Sequence, residues 1–517
     1  MFSPTKQLSA SLLALAALLV SACADNDRAS PSPQPVSPAP PPADEPAEQA
    51  IPDGVWIQRG FGRVLEITGE SVAQYDFTRE TCMSVRTITQ NELTEIITVQ
   101  TVGSDELVAT EDEGTLVFSR RDDLPSACED NRLITENGPV ATLNHIIHNF
   151  DDYYPFFELR GILDWDERVR TARGQVNEQS TDEELLDTII ALLSGLNDGH
   201  VTLSAGDEFE FTPASQDGKI LDILATGFAA QSEITDFDAY STEQLSRILA
   251  IRDSYFDAES FDSAGGENQD VFQWATIGNG LVGYLEVNSM GGISLNDAQS
   301  DAAAAEDIMD RALTDLQHTE ALIINVLSNG GGELSVADAV ASRFTTDTVT
   351  VSAYETITFD GSSTPQRTPL IERDLAPTEH VSYRGPVATI SGPNTFSAAE
   401  HFLLSMRALN HPVCFIGERS DGILSAILNK PLPTEGTMLG LSNMIIYDHT
   451  GQAFEAVGVP VDIGATTFEL VDSSSDTIEA IDASMVALGF GYLVDRDGQA
   501  AECSFMEART RLEFSAP

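Results

Sequence analysis

From Leu281 onward the chain alternates short apolar runs with helical stretches, and few architectures accept that rhythm. VGYLEV (282–287) precedes a helix predicted over Leu295 to Leu316, and ALIINVL (321–327) runs through Ser328-Asn329-Gly330-Gly331-Gly332 into a helix over Leu334 to Phe344. VATI (387–390) runs through GPNTFSAAE into a helix that continues through Arg407, and VCFI (413–416), a strand near Met444 to Tyr447 and a turn into Val457 to Ile463 follow. Continuous apolar strands, each followed by a helix, indicate a sheet covered by helices on its faces. The fold class is therefore α/β.

The rest of the chain is patterned differently, and 517 residues exceed one ordinary core, so several domains are expected. Short alternating runs, VLEI (64–67), LTEIITVQTV (93–102) and TLVFS (115–119), predict a small antiparallel β domain over 51–130. Helical periodicity follows over Pro139 to Leu196, which predicts a helical domain at 131–205. One helix is predicted from Asn144 to Phe157 and a second from Asp182 to Leu193, the latter opening on Thr181-Asp182-Glu183-Glu184. The cluster Tyr153, Tyr154, Phe156, Phe157 and Trp165 reads as helix packing. Residues 206–272 are acidic and weakly patterned, with one helix expected near Ser241 to Ile251 and no recognisable carboxylate-binding PDZ loop. Residues 471–517 read as a C-terminal helical extension.

The beginning of the chain carries an address. Lys6 precedes the apolar Leu12–Val20, which is too short to span a bilayer comfortably, and Val20-Ser21-Ala22-Cys23 follows. Small residues directly before a cysteine resemble a bacterial lipoprotein signal, so 1–22 reads as a signal peptide and Cys23 as the lipidated N-terminus. Ala24 in place of an aspartate favours the outer membrane. The Pro-, Ser- and acid-rich 23–50 reads as an extended tether. With Cys23 acylated, Cys82, Cys128, Cys414 and Cys503 remain, and an exported setting favours bridges. Four thiols allow three connectivities; Cys82–Cys128 with Cys414–Cys503 is the simplest, because each bridge stays in one half of the chain.

Charge narrows the partners. The 27 basic and 82 acidic side chains leave a net −55, a surface that repels phosphate backbones and makes nucleic acid a poor partner. No segment has the ligand spacing of a calcium loop or a zinc cluster, so no metal is expected.

Two strand-to-helix turns could carry chemistry. The glycines of Asn329-Gly330-Gly331-Gly332 let the backbone approach a substrate closely, with N–H groups ahead of a helix where negative charge is stabilised. In Thr395-Phe396-Ser397-Ala398-Ala399-Glu400 the serine is either a helix N-cap or a nucleophile. In the second case the Ala398 N–H and one from the glycine turn form a two-donor oxyanion hole. A serine nucleophile needs a base. Of eight histidines, His200 lies in the turn Asp198-Gly199-His200, whereas His401 shares the helix of Ser397 and is expected to point away from the hydroxyl.

NGGG, TFSAAE and FEAVGVPVDI together resemble the C-terminal-processing and tricorn family of serine peptidases, whose core is of the crotonase and ClpP type. The resemblance covers about 273–470, and Asp198-Gly199-His200 extends it upstream, as does YYPFFELRGILDW, which is similar to the lead-in of secreted members lacking a PDZ module. It implies Ser397 as nucleophile, Ala398 with Gly331 or Gly332 as oxyanion donors, and no cofactor. A Ser–Lys dyad is not implied: Gly417-Glu418-Arg419-Ser420-Asp421-Gly422 is followed by Ile423, and Lys430 lies further on. The tricorn branch implies His200 as base and Glu455 as a supporting acid. Two positions depart from the pattern. Asn325-Val326-Leu327 stands where Asp-x-Arg is usual, leaving the bracing of the glycine turn open, and Gly199 replaces a serine.

The expectation is a serine-type peptidase with its catalytic domain at 273–470, acting on polypeptides outside the cytoplasm and tethered to the envelope through Cys23. The alternatives are a non-catalytic binding protein for apolar ligands or peptides on the same fold, or an esterase.

Overall fold

The computed structural model describes residues 51–494 except 112–113, 130–132, 135–136, 206–208, 214–218, 232–233, 267–269, 295–298, 360–363, 435 and 473. Cys23 and Cys503, with the signal, the tether and the end of the C-terminal extension, lie outside the described residues. No helix among them is long and apolar enough to cross a membrane.

The N-terminal β domain is one antiparallel sheet. Its strands are β1 (Gly54–Gln58), β2 (Arg63–Thr68), β3 (Ser71–Phe77), β4 (Cys82–Thr89), β5 (Thr98–Val102), β6 (Glu106–Glu111) and β7 (Gly114–Arg121), in the order β4-β3-β2-β1-β7-β6-β5. Period-2 alternation buries Trp56, Leu65, Ile67, Val72, Leu107, Leu116 and Phe118 on one face. The predicted strand over 93–102 is corrected: Gln90–Thr94 is a short helix, and only Thr98–Val102 is extended. Thr89 accepts from the Glu92 N–H while the Glu92 carboxylate accepts from the Thr89 N–H, and this reciprocal capping overrides the β-branched residues nearby. A disulfide joins Cys82 to Cys128.

Helices Pro139–Tyr153, Trp165–Gln175 and Asp182–Leu193 follow. The first starts and ends earlier than its apolar period indicated, since Pro139 at the first helical position suits a helix start. Phe150, Tyr154 and Trp165 pack ring against ring, with centroids of Phe150 and Trp165 5.2 Å apart. In the weakly patterned stretch, Lys219–Ala230 and Phe237–Asp253 are helices that pack Phe228 against Phe237 and Tyr240.

The α/β core is a seven-stranded sheet in the order Asp262–Ala264, Phe272–Ile277, Val282–Val287, Ala321–Asn325, Val387–Ser391, Val413–Gly417, Ile463–Gly464. The first two pairings are antiparallel and the rest parallel. All six residues of Val282–Val287 and all five of Val387–Ser391 are buried, as strands covered on both faces require. Helix Asp301–Leu316 begins later than predicted, because Ser300 caps it by accepting from the Ala303 N–H at 3.3 Å. Helices Leu334–Ala341 and Ala398–Ala408 complete this layer.

Ala321–Asn325 and Val387–Ser391 are adjacent and parallel, with Asn325 opposite Ile390. The glycine turn and the serine turn therefore leave the same edge of the sheet side by side, at the carboxyl ends where α/β folds place ligands.

Candidate active site

The two turns meet. An added Cβ on Gly331 would lie 2.6 Å from the Ser397 Cβ and 2.9 Å from the Ala398 nitrogen, so only glycine permits this approach. Thr395 ties the turns together, donating from Oγ1 to the Val326 carbonyl at 2.8 Å and accepting from the Gly392 N–H at 3.1 Å. Ser397 has φ 57° and ψ −128°, a strained conformation for a residue with a Cβ. Such strain persists only where the surroundings over-determine it.

Glu400 supplies that constraint. Fully buried, its carboxylate accepts from Ser420 Oγ (2.6 Å), the Gly422 N–H (2.9 Å), the Ile423 N–H (2.8 Å) and the Ser397 N–H (3.2 Å). The Ser397 N–H also donates to the Ile423 carbonyl at 3.0 Å. Glu400 thus fastens the serine turn to the 420–423 loop. Burial pushes its carboxyl up to about 8 against these hydrogen bonds. It is the third residue of the helix Ala398–Ala408, a place that suits a capping acid, and its burial reveals the wider role.

Asn329 braces the glycine turn, the function left open by the absence of Asp-x-Arg. Its Oδ1 accepts from the Gly331 N–H at 2.9 Å, its Nδ2 donates to the Val287 carbonyl at 3.0 Å, and its carbonyl accepts from the Phe396 N–H at 3.2 Å. This divides the two glycines that the sequence left equivalent. The Gly331 N–H is engaged, whereas the N–H groups of Gly332 and Ala398 donate to no protein acceptor among the described residues.

A cavity of about 310 Å³ opens here, lined by Ser397, Ala398, Gly332, His200, His401 and Ser425 among others. Its apolar wall includes Leu334, Tyr354, Ile371, Met444 and Ile446. His401, expected to point away from the Ser397 hydroxyl, is also among the residues lining this cavity, with its Nε2 2.9 Å from the Leu424 carbonyl. Burial keeps it neutral, with a pKa of about 3.

His200 reaches the cavity on a separate sheet. It lies two residues before Thr202–Ala205, which pairs with Thr437–Ser442, itself paired with Ile427–Pro431. The buried Asp198 accepts from the His200 N–H at 3.1 Å, from Ser442 Oγ at 2.9 Å and from the Tyr154 hydroxyl at 2.9 Å. Tyr154 is thus more than packing. Burial lowers the pKa of His200, while Asp198 and the Ser425 carbonyl oppose the shift. Gly199 has a steric reason too: a Cβ there would lie 2.7 Å from Ile423 Cδ1.

Glu455 supports this loop from behind. Its Oε2 accepts from the Leu424 N–H at 2.9 Å and the Ser425 N–H at 3.0 Å, and its Oε1 accepts from Arg160, whose Nε also lies 3.2 Å from Asp198. Burial, then Asp198, pushes the Glu455 carboxyl up to about 7. Lys430 is committed elsewhere: its Nζ donates to the Phe61 carbonyl at 2.6 Å and to Asp76 at 2.9 Å. Among the described residues no group of His, Cys, Asp and Glu side chains is placed to hold a metal ion.

Residues 281–465 match the family described as Peptidase family S41. The resemblance to the C-terminal-processing and tricorn peptidases therefore holds over the segment carrying NGGG, TFSAAE and FEAVGVPVDI; His200 lies outside it. Similar solved structures include a candidate peptidase from Parabacteroides merdae (20% identity, 68% of this chain and 96% of that one, TM-score 0.49). A photosystem II D1 C-terminal processing protease (15%, 63% and 92%, TM-score 0.36) and the tricorn protease (15%, 84% and 46%, TM-score 0.40) are others. No curated protein matches the sequence.

Proposed function

Because residues 281–465 match Peptidase family S41, we propose that this chain hydrolyses peptide bonds through an acyl-enzyme on Ser397, with His200 as general base. The observation that carries the reading is one cavity lined by Ser397, His200, Ala398 and Gly332, the last two with N–H groups that donate to no protein acceptor among the described residues.

His200 takes the proton of Ser397 as Oγ attacks the scissile carbonyl, and the new oxyanion is held by the Ala398 and Gly332 N–H groups. The imidazolium then protonates the leaving amine, and water repeats the sequence on the acyl-enzyme. Glu455 is a positioning residue: it fixes the 424–425 backbone beside His200. Asp198 fixes the loop of His200 and favours the imidazolium. Substrates are polypeptides outside the cytoplasm, and acylated Cys23 tethers the enzyme to the envelope, with the outer membrane favoured.

A fluorophosphonate probe tests the site directly. The wild type labels, and Ser397→Ala and His200→Ala lose labelling while keeping the wild-type circular dichroism spectrum. Equal labelling of all three proteins overturns the assignment.

A further inference from the structure

A second cavity, of about 680 Å³, opens between the N-terminal sheet, helix Pro139–Tyr153 and the hairpin formed by Ile357–Thr358 and Gln366–Arg367. Its charged lining is Arg59, Arg79, Arg121 and Arg367 against Asp123 and Asp152. Four of only 27 basic residues thus converge on one cavity in a chain of net charge −55.

The guanidinium groups of Arg59, Arg79 and Arg367 are held in place by partners that use only some of their donors. Arg79 Nε donates to Asp152 at 2.7 Å, and its guanidinium carbon lies 3.6 Å from the Phe359 ring centroid. Its Nη1 and Nη2 donate to no protein acceptor among the described residues. Among the described residues, Arg59 uses Nε on Ser119 and Nη2 on Glu106, which leaves Nη1. Arg367 uses Nη1 on Glu355 and the Tyr447 hydroxyl, which among the described residues leaves Nε and Nη2. Planar forks each fixed by one carboxylate, with Arg79 stacked on Phe359 as well, have further N–H groups that suit bidentate recognition of carboxylates.

Two strands set the spacing from the nucleophile. On β7, Thr115 lines the Ser397 cavity, while Ser119 and Arg121, on the same face by the two-residue period, line the second. On the neighbouring segment Tyr354 lines the first cavity and Thr358 the second. The step is four residues on each, about 13 Å of extended chain.

We propose that the second cavity is an accessory site that takes the carboxylate side chains of an acidic, extended segment of a polypeptide substrate. The segment lies about four or more residues from the bond presented to Ser397. A polypeptide fits better than a small anion, because the donors are spread over a cavity larger than one carboxylate fills and lie one short strand from the nucleophile. The inference rests on the peptidase reading for its purpose, though not for the binding itself. Because the remainder of the molecule repels acidic peptides, binding there reports the local site.

The test uses the full chain with Ser397→Ala and two fluorescein-labelled peptides, identical except for glutamates replaced by glutamines. Fluorescence anisotropy is expected to give a Kd at least about tenfold lower for the glutamate peptide, and Arg79→Gln with Arg367→Gln to abolish the preference. Equal binding of both peptides, or a preference that survives the double substitution, overturns the proposal. If thermal unfolding shows that the double variant is misfolded, Arg121→Glu at the end of β7 carries the same expectation. Turnover by the unsubstituted enzyme separates the two readings. Selective binding without hydrolysis of either peptide defeats the peptidase and leaves the accessory site, whereas equal hydrolysis and equal binding defeats the site alone.

Discussion

Gly331 lies against Ser397 so closely that a single methyl group on the glycine would sit 2.6 Å from the serine Cβ. The contact joins turns 66 positions apart in the chain, and the first prediction follows from it. Gly331→Ala collides with the Ala398 nitrogen and the Phe396 carbonyl, both at 2.9 Å, in a backbone held at φ +88°. Gly451→Ala has a similar φ of +85° with nothing within 4 Å. Activity is expected to fall by about 10²-fold or more in the first variant, as for loss of an oxyanion donor, and to stay near wild type in the second. Similar kcat/KM values for the two variants would show that the approach of the turns is unimportant.

Glu400→Gln places an amide NH₂ against groups that already donate. At least one buried N–H or hydroxyl pair is left without an acceptor, at about 1–3 kcal/mol for each group. A lower urea midpoint and loss of fluorophosphonate labelling are expected together, since the same carboxylate holds both Ser397 and the 420–423 loop.

The pH dependence of stability also involves Glu400. Its folded pKa, about 8, lies above the ordinary glutamate value of 4.5, so the folded state holds the proton more tightly. Its contribution to stability is complete below 4.5 and is lost as pH rises through about 8. The urea midpoint of the wild type should therefore decline more steeply between about pH 6 and about pH 9 than that of Glu400→Gln. Parallel curves would contradict this.

Activity should have its acid limb below the ordinary histidine value of 6.5, because burial lowers the pKa of His200 and the base works unprotonated. The Asp198 carboxylate opposes the shift, so Asp198→Asn moves the limb to still lower pH. The measurement is kcat/KM against pH; a limb above 6.5 in the wild type would exclude His200 as the titrating base.

Lys430→Met separates structure from chemistry. The substitution strands Asp76 in the joint between the N-terminal sheet and the core, with an expected loss of about 3–5 kcal/mol. Folded protein at low temperature should still label at Ser397, and Lys430→Met with Asp76→Asn should recover part of the stability. Complete loss of labelling in folded Lys430→Met would revive the Ser–Lys dyad.

The α/β core was legible because strands buried on both faces need continuous apolar runs, and VGYLEV and VATI have no other reading. The helix Asp182–Leu193 was legible to the residue, since Thr181 and Glu184 form a capping box that marks its start. The strand expected over 93–102 failed because capping by Thr89 and Glu92 outweighs local β propensity. That His401 meets the 423–424 loop was not legible, because helical phase gives a direction along one element and says nothing of the loop that closes over it. The two oxyanion candidates Gly331 and Gly332 are identical in sequence, and only the hydrogen bond from the Gly331 N–H to Asn329 tells them apart.

By itself, then, the sequence determined which turns could carry chemistry and which residues stand in them, because backbone freedom at glycine and helix starts after apolar strands are local properties. Tertiary structure decided the rest. Parallel pairing of Ala321–Asn325 with Val387–Ser391 brings the turns together, and a separate sheet delivers His200. Burial of Glu400, Glu455 and Asp198 turns three ordinary acids into braces of the site. Burial and proximity between distant segments arise only when the chain closes on itself, so no local pattern records them.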